Sequence, residues 1–222
     1  MVVKSDEHIH QEVLRELHWD SCVDDTEVGV EVDQSVVTLT GTVASYAKKL
    51  AAKEAAHRVT GVLDVADDIR VKVPGSPGRT DTEIAQAVRQ ALTWNVLVPD
   101  TRITSTVTDG WVTLEGSVDR LRERDDAERT VRYLQGVRGV TNKLVVHPST
   151  VKPERVREVI EDALERGAAH EAKHIQVRVS DGTVTLTGRV RSYAEKRAVL
   201  GAVSHAPGVH TVTEHLRIEP YV

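Results

Sequence analysis

The chain has 222 residues, of which 40% are hydrophobic and 28% charged, a balance that is ordinary for a globular protein. Its net charge of −5 gives no support for nucleic-acid binding, and Cys22, its one cysteine, excludes a disulfide framework and a cysteine-based zinc site. No apolar run approaches the roughly 20 residues that span a bilayer. We therefore expect no transmembrane segment and a cytoplasmic protein, or a periplasmic one if an export signal had been removed.

The first predicted element of the repeating pattern is a helix, and its clearest copy lies at the start of the second third of the chain. Ile84, Val88 and Leu92 recur at helical spacing, so they form one apolar face. Thr80 and Glu83 just before them fit a capping box, in which each side chain bonds the other's backbone N–H.

Two strands follow this helix and are joined by a short turn. Val28, Val30 and Val32 alternate as in a half-buried strand. In the second and third copies, "TDGW" and "SDGT" place Asp-Gly between two alternating runs, which is a strong hairpin pattern. The first copy has Gln34-Ser35 at this position, so we expect a looser turn there.

The second strand carries one pentapeptide three times: VTLTG at 37–41, VTLEG at 112–116 and VTLTG at 184–188. In this phase Val, Leu and Gly face inward and the other side chains face outward. Glycine in a core strand is useful only where backbone approaches closely or the strand bends, so we expect a helix or a bulge against it. These structural glycines are Gly41, Gly116 and Gly188.

A second helix and a last strand complete the pattern. A second glycine follows the first by 20 residues in every copy, and its place near the helix end is typical of a C-terminal stop. These glycines are Gly61, Gly136 and Gly208. The order of elements predicts an α+β protein of three tandem αββαβ domains, each a three-stranded mixed sheet with two helices packed on one face. The predicted domains are residues 1–75, 76–149 and 150–222, joined by short Pro-containing segments.

These motifs resemble the BON domain, the bacterial osmotic-shock and nodulation domain that is also called transport-associated. The closest stretches are "ITSTVTDGWVTLEGSV" (103–118) and "GVRGVTNKLVV" (136–146), and the third copy is similar. The first copy departs at its turn and has Asp67 where the family often has Asn. The resemblance implies a non-enzymatic role, with phospholipid or envelope surfaces as targets under osmotic stress, and it implies no catalytic residues.

Two surfaces are candidates for binding or for contact between domains. One is the open face of the sheets, where Trp111 stands among polar residues; its members are Thr38, Thr40, Trp111, Thr185, Thr187 and Arg189. The other is the basic start of the second helix of the second domain, with Arg120, Arg122 and Arg124 as candidate anionic-lipid contacts. Acidic residues interleave with these arginines, so ion pairing within the helix is the alternative.

Trp19 and Trp94 occupy equivalent positions, and we expect them to cap the core edge.

Metal binding and catalysis have weaker support. His170 and His174 are four residues apart but have no fixed third ligand, so they are weak metal candidates and scattered surface histidine is the favoured interpretation. An acidic set in the first domain lacks the spacing of a calcium loop, and a solvated acidic face is the favoured interpretation; its members are Asp20, Asp24, Asp25, Glu27, Glu31 and Asp33. The sequence contains no catalytic motif, so we expect no enzyme activity and no cofactor.

Three functional hypotheses remain open. The first is a tandem binding protein whose target is an anionic phospholipid surface or an envelope-associated protein, with three weak sites that add through effective concentration. The second is a protein-interaction or assembly module, in which the domains pack on one another or form a homo-oligomer. The third and weakest is a sensor of a cation or a small ligand.

Overall fold

A computed structural model describes residues 4–72, 79–147, 151–167 and 175–219, without the side chains of 165–167. The first unit consists of α1 (Asp6–Trp19), β1 (Val28–Asp33), β2 (Val36–Val43), α2 (Tyr46–Arg58) and β3 (Asp64–Val71). The second consists of α3 (Asp81–Trp94), β4 (Ile103–Thr108), β5 (Trp111–Val118), α4 (Leu121–Val131) and β6 (Gly139–Val146). The third consists of α5 (Pro153–Gly167), β7 (Ile175–Ser180), β8 (Thr183–Val190), α6 (Tyr193–Ser204) and β9 (Thr211–Ile218).

Each sheet is mixed, with the second strand of its unit in the centre. β2 pairs antiparallel with β1 and parallel with β3, so that Gly41 lies opposite Val28 on one side and Ile69 on the other. The other two sheets repeat this register, with Gly116 and Gly188 in the same place. The predicted α+β fold of three αββαβ units is confirmed.

Every unit has its own apolar core between the sheet and its helices. In the first unit Ile9, Val13 and Leu17 lie four residues apart on α1 and are fully buried, together with Val37 and Leu39 of β2. The chain contains no Phe. These cores are filled by the side chains of Val, Leu, Ile and Ala.

The atoms closest to the glycine of the pentapeptide are backbone atoms at the end of a short 3₁₀ helix, not atoms of an α-helix. Gly116 has a φ of +128°, and a Cβ added there would collide with the carbonyl oxygen of Arg102, just before the neighbouring strand. Gly41 has a φ of +124° and the same relation to Glu27. The helix expected against this glycine is thus a single 3₁₀ turn that ends at Glu27 or Arg102, and the glycine combines a close backbone approach with a conformation that favours glycine.

The second glycine is where a helix comes close. Gly136 lies several residues beyond the end of α4, so it does not stop that helix as expected. A Cβ on it would lie 2.9 Å from Ile84 Cδ1, on the first helix of the same unit. Gly208 has the same relation to Val156. The missing side chain thus leaves room for the buried face of the first helix.

The hairpin of the first unit is as tight as the others. Gln34 and Ser35 have φ values of 49° and 63°, close to the 51° and 75° of Asp109 and Gly110. The Asp6 carboxylate accepts hydrogen bonds from the backbone N–H groups of Gln34 and Ser35 at 2.9 and 2.8 Å. The expectation of a looser turn was wrong, because this carboxylate on α1 holds the turn in the left-handed region without glycine.

Replacing Ser35 with Gly should stabilise the first domain by about 1 kcal/mol, because glycine adopts a positive φ without steric cost. Urea unfolding followed by circular dichroism measures the change. Ser35→Ala is the matched control, and it should change the free energy of unfolding by only a few tenths of a kcal/mol. A lower stability of Ser35→Gly than of Ser35→Ala would contradict this account of the turn.

Gly116→Ala should destabilise the second domain by roughly 2 kcal/mol or more, because the new Cβ meets the Arg102 carbonyl and the φ is unfavourable for alanine. Gly201→Ala is the matched control, since a Cβ on Gly201 would meet nothing within 4 Å inside helix α6. That control should keep or raise stability. Equal unfolding midpoints for wild type and Gly116→Ala would show that the glycine is dispensable.

Candidate functional site

The three domains contact one another through the first residue of each second helix. Tyr46, which begins α2, packs against the core of the second domain, and Leu121, which begins α4, is buried in the core cluster of the third. Tyr193, which begins α6, stacks on His57 of the first domain, with ring centroids 3.5 Å apart and an interplanar angle of 9°. The contacts therefore run from the first domain to the second, the third and back to the first, which closes a ring.

Helix α2 is covered on all sides by this arrangement. Every residue from Tyr46 to His57 is at least partly buried, and Arg58 is the first exposed one. Ala52, Ala55 and Ala56 are fully buried. Burial raises the pKa of the Tyr46 phenol, and the nearby Glu128 carboxylate of α4 raises it further. Helix α2 therefore lies in the interior of the ring, whereas α4 and α6 keep exposed residues such as Arg129 and Arg197.

An apolar cluster protrudes from the second domain directly after α3. We call it the apolar turn; it consists of Trp94, Val96 and Leu97, which are 77%, 95% and 52% exposed. Asn95 caps α3, accepts a hydrogen bond from the Leu97 N–H at 3.0 Å and donates one to the Thr130 hydroxyl of α4 at 2.7 Å. These bonds and the buried Val98 fix both ends of the turn, so its other side chains project outward.

The equivalent turn in the first domain has the same construction but a different surface. Asp20 takes the place of Asn95, accepts a hydrogen bond from the Cys22 N–H at 3.1 Å and pairs with Arg58. Ser21 and Cys22 stand where the second domain has Val96 and Leu97. The apolar turn was not predicted from the sequence, although this difference between the first and second repeats indicates it.

Trp19 and Trp94 do not cap the core, contrary to expectation. Each ends its helix two residues after the last buried position, Leu17 or Leu92, which is more than half a turn around the helix. Both side chains therefore point away from the sheet and are strongly exposed.

Trp111 lies on the open face of its sheet, and its ring is partly covered because it lies flat against the neighbouring strand. Its indole N–H donates to the Thr141 hydroxyl at 2.7 Å, and its ring lies across Gly139 of the neighbouring strand. Thr38 and Thr185 are half-buried and Thr40 is exposed, while Arg189 pairs with Glu219 at 3.1 Å. The contacts between domains described above use the second helices. A partner for the open faces, which include Thr187, stays a prediction.

The three candidate arginines of α4 are not equivalent. Arg124 turns toward its own sheet, where its guanidinium donates to the Asn142 carbonyl at 3.4 Å. Arg122 pairs with the buried Asp126, four residues on, at 3.4 Å. Arg120 precedes the helix and is exposed. Arg124 is therefore a structural residue, and ion pairing within the helix accounts for Arg122.

The acidic set of the first domain is used in local contacts. Asp24 accepts hydrogen bonds from the N–H and the hydroxyl of Thr26, which lower the pKa of its carboxyl. Asp25 pairs with His18 at 2.9 Å and Glu27 with Lys48 at 3.2 Å. Across the described ranges no three metal-ligating side chains converge. The weak candidates His170 and His174 lie outside the described residues.

Tyr46→Ala should lower the stability of the second domain by about 1–3 kcal/mol, because it removes an aromatic side chain from a core to which the first domain contributes. Tyr133→Ala is the matched control, since Tyr133 is an exposed tyrosine of the second domain. Differential scanning calorimetry would measure the loss. An identical effect of both substitutions would contradict the contact between these domains.

A family model for the BON domain matches residues 5–73, 80–148 and 154–220. Among curated proteins, Osmotically-inducible protein Y of Escherichia coli (strain K12) is 35% identical over 125 residues, which are 54% of this chain and 61% of that protein. The match thus spans less than two thirds of that relative. Within the described ranges, no helix has the length and apolar character needed to cross a membrane.

Two solved structures are also similar to the chain. One comes from studies of CdsD, a structural protein of the type III secretion system of Chlamydia trachomatis; it is 15% identical with a TM-score of 0.28, over 95% of this chain and 92% of that one. The other, the C-terminal domain of CdsD, is 13% identical with a TM-score of 0.27, over 98% and 100%. TM-scores this low carry no argument about the present chain.

Proposed function

Since the chain belongs to the BON-domain family, we propose that it is a non-catalytic protein that binds phospholipid surfaces of the cell envelope under osmotic stress. The link to osmotic stress is supported by the name of its relative, Osmotically-inducible protein Y. The lipid target is supported by the apolar turn. Its three apolar side chains lie within four residues of the chain, and each is more than half exposed.

The composition of the apolar turn suits the boundary between headgroups and acyl chains. Trp94 presents a large ring with one polar N–H, the combination that favours a membrane interface. Val96 and Leu97 are aliphatic and extend beyond the helix end. Exposed apolar side chains cost little in a surface that lipid covers, whereas in water they have no favourable contact.

Positive charge lies next to the apolar turn and favours anionic headgroups. The hydrogen bond from Asn95 to Thr130 places the turn beside α4. Arg129, the residue before Thr130, forms an ion pair with Asp126 at 3.7 Å, and 64% of its side chain is still exposed. Since the whole chain is acidic, we expect this local arginine to steer the turn rather than to bind by charge alone.

The rest of the molecule supports the rigidity of such a site. The apolar turn is fixed by Asn95 and Val98, and its domain is held in the ring by Tyr46 and Leu121. A rigid apolar cluster loses little conformational entropy when it binds a surface.

Val96→Asp combined with Leu97→Asp should reduce binding to vesicles of phosphatidylcholine with phosphatidylglycerol by about tenfold or more, because two charged groups would have to enter the interface. Co-sedimentation at low salt measures the bound fraction. Val145→Asp is the matched control, since Val145 is 63% exposed on the open face of β6. It should bind as the wild type does.

Vesicles of phosphatidylcholine alone separate the two contributions. Weaker but measurable binding to them would assign the charge preference to Arg129 and the remaining affinity to the apolar turn. Absence of binding to both vesicle types would remove phospholipid as the target. Equal loss in Val145→Asp would place the contact on the sheet face.

A further inference from the structure

The first and third domains are not adjacent in the chain, yet they close the ring through a small contact. Tyr193 of α6 stacks on His57 of α2, and beside them Arg197 lies 3.5 Å from Glu54. We propose that this contact is an acid-sensitive latch: the two domains stay together while His57 is neutral, and they separate, each still folded, when His57 is protonated.

The other two contacts between domains have Arg132 and Ser204 at the repeat position of His57, so neither has a histidine there. At the contact between the first and second domains, the charged groups near the Tyr46 phenol are Glu128, Arg132 and Asp67, so a guanidinium lies beside two carboxylates. At the contact between the second and third domains, Leu121 belongs to the core cluster of the third domain, against which Leu200 also packs. Apolar packing of this kind does not depend on pH.

The contact between the first and third domains uses the same repeat positions as the contact between the first and second domains, but the residue types differ. Counted from the pentapeptide glycine, His57 occupies the position of Arg132, and Lys53 occupies the position of Glu128. The second domain therefore has a carboxylate near its cation, whereas the first has an ammonium group where that carboxylate would be. A proton on His57 would thus meet a like charge.

The surroundings of His57 oppose a positive charge more than they support it. The residue is 7% exposed, and its Nδ1 is buried without a hydrogen-bond partner, although an imidazolium must donate from both ring nitrogens. The pKa of His57 is lowered from 6.5 to about 4, chiefly by burial and also by the positive charges of Lys53 on α2 and Arg197 on α6, while Asp64 at the start of β3 and Glu54 of α2 act in the opposite direction.

The direction of the pH dependence follows from this lowered value. His57 binds a proton more readily when the latch is open, so the closed form is favoured fully above about pH 6.5 and loses that advantage as the pH falls toward about 4. The Arg197–Glu54 pair cannot replace it, since its side chains are 63% and 38% exposed. Pairs with that exposure contribute little.

Small-angle X-ray scattering of the full chain tests the latch directly. Near neutral pH the radius of gyration should be close to about 17 Å, the value of a compact chain of this length. Toward about pH 4.5 it should rise while the far-ultraviolet circular dichroism keeps its folded form. Tyr193→Ala should show the larger radius already at neutral pH. A compact, folded wild type at the lower pH would overturn the proposal.

His57→Phe keeps a flat ring under Tyr193 but cannot bind a proton. This variant should stay compact at the lower pH, whereas the wild type opens. His215→Gln is the matched control, because His215 is an exposed histidine of β9. It should open as the wild type does. Opening of His57→Phe at the same pH as the wild type would assign the transition to other groups.

A histidine titration by nuclear magnetic resonance tests the proposal without relying on a substitution at His57. In the wild type the His57 ring should remain neutral at about pH 5.5, where an ordinary histidine is mostly protonated. In Tyr193→Ala its midpoint should shift upward by about one pH unit or more, because the ring gains contact with water. A wild-type midpoint near 6.5, or no shift in the variant, would overturn the latch.

Discussion

The burial of the first residue of each second helix against the next domain determines how the rest of the molecule is exposed. Tyr46, Leu121 and Tyr193 occupy one position of the repeat and each reaches the following domain in the ring. Because these contacts use the second helices, the ends of the first helices and the open sheet faces stay outside. The apolar turn, which follows the end of a first helix, is therefore exposed.

The fold of each unit could be predicted because its information is local. Val28, Val30 and Val32 alternate as one strand requires, and the Asp-Gly pairs mark two of the hairpins. The first hairpin was misjudged because the carboxylate that holds it comes from Asp6, which is 28 and 29 residues away. A turn stabilised by a distant side chain cannot be recognised from its own two residues.

The candidate site could be predicted only in part, since exposure depends on contacts between elements. Trp19 and Trp94 were expected to cap the core edge because they occupy equivalent positions, but the spacing of Leu17 and Leu92 already places them on the opposite side of the helix. Tyr46 and His57 gave no such indication. Their neighbours are on other domains, and helix α2 has apolar residues on several faces.

Differences among the three contacts between domains can also determine which domain binds which. If every contact between domains were apolar packing like that of Leu121 and Leu200, any second helix could dock on any domain of this chain or of another copy. The short joins between consecutive domains already favour the first two contacts through effective concentration. The contact between the first and third domains has no such help from the chain, so its own residues must select it. At this contact Tyr193 stacks on His57, and Arg197 lies beside Glu54. Among the described residues, the other two contacts between domains do not have this combination.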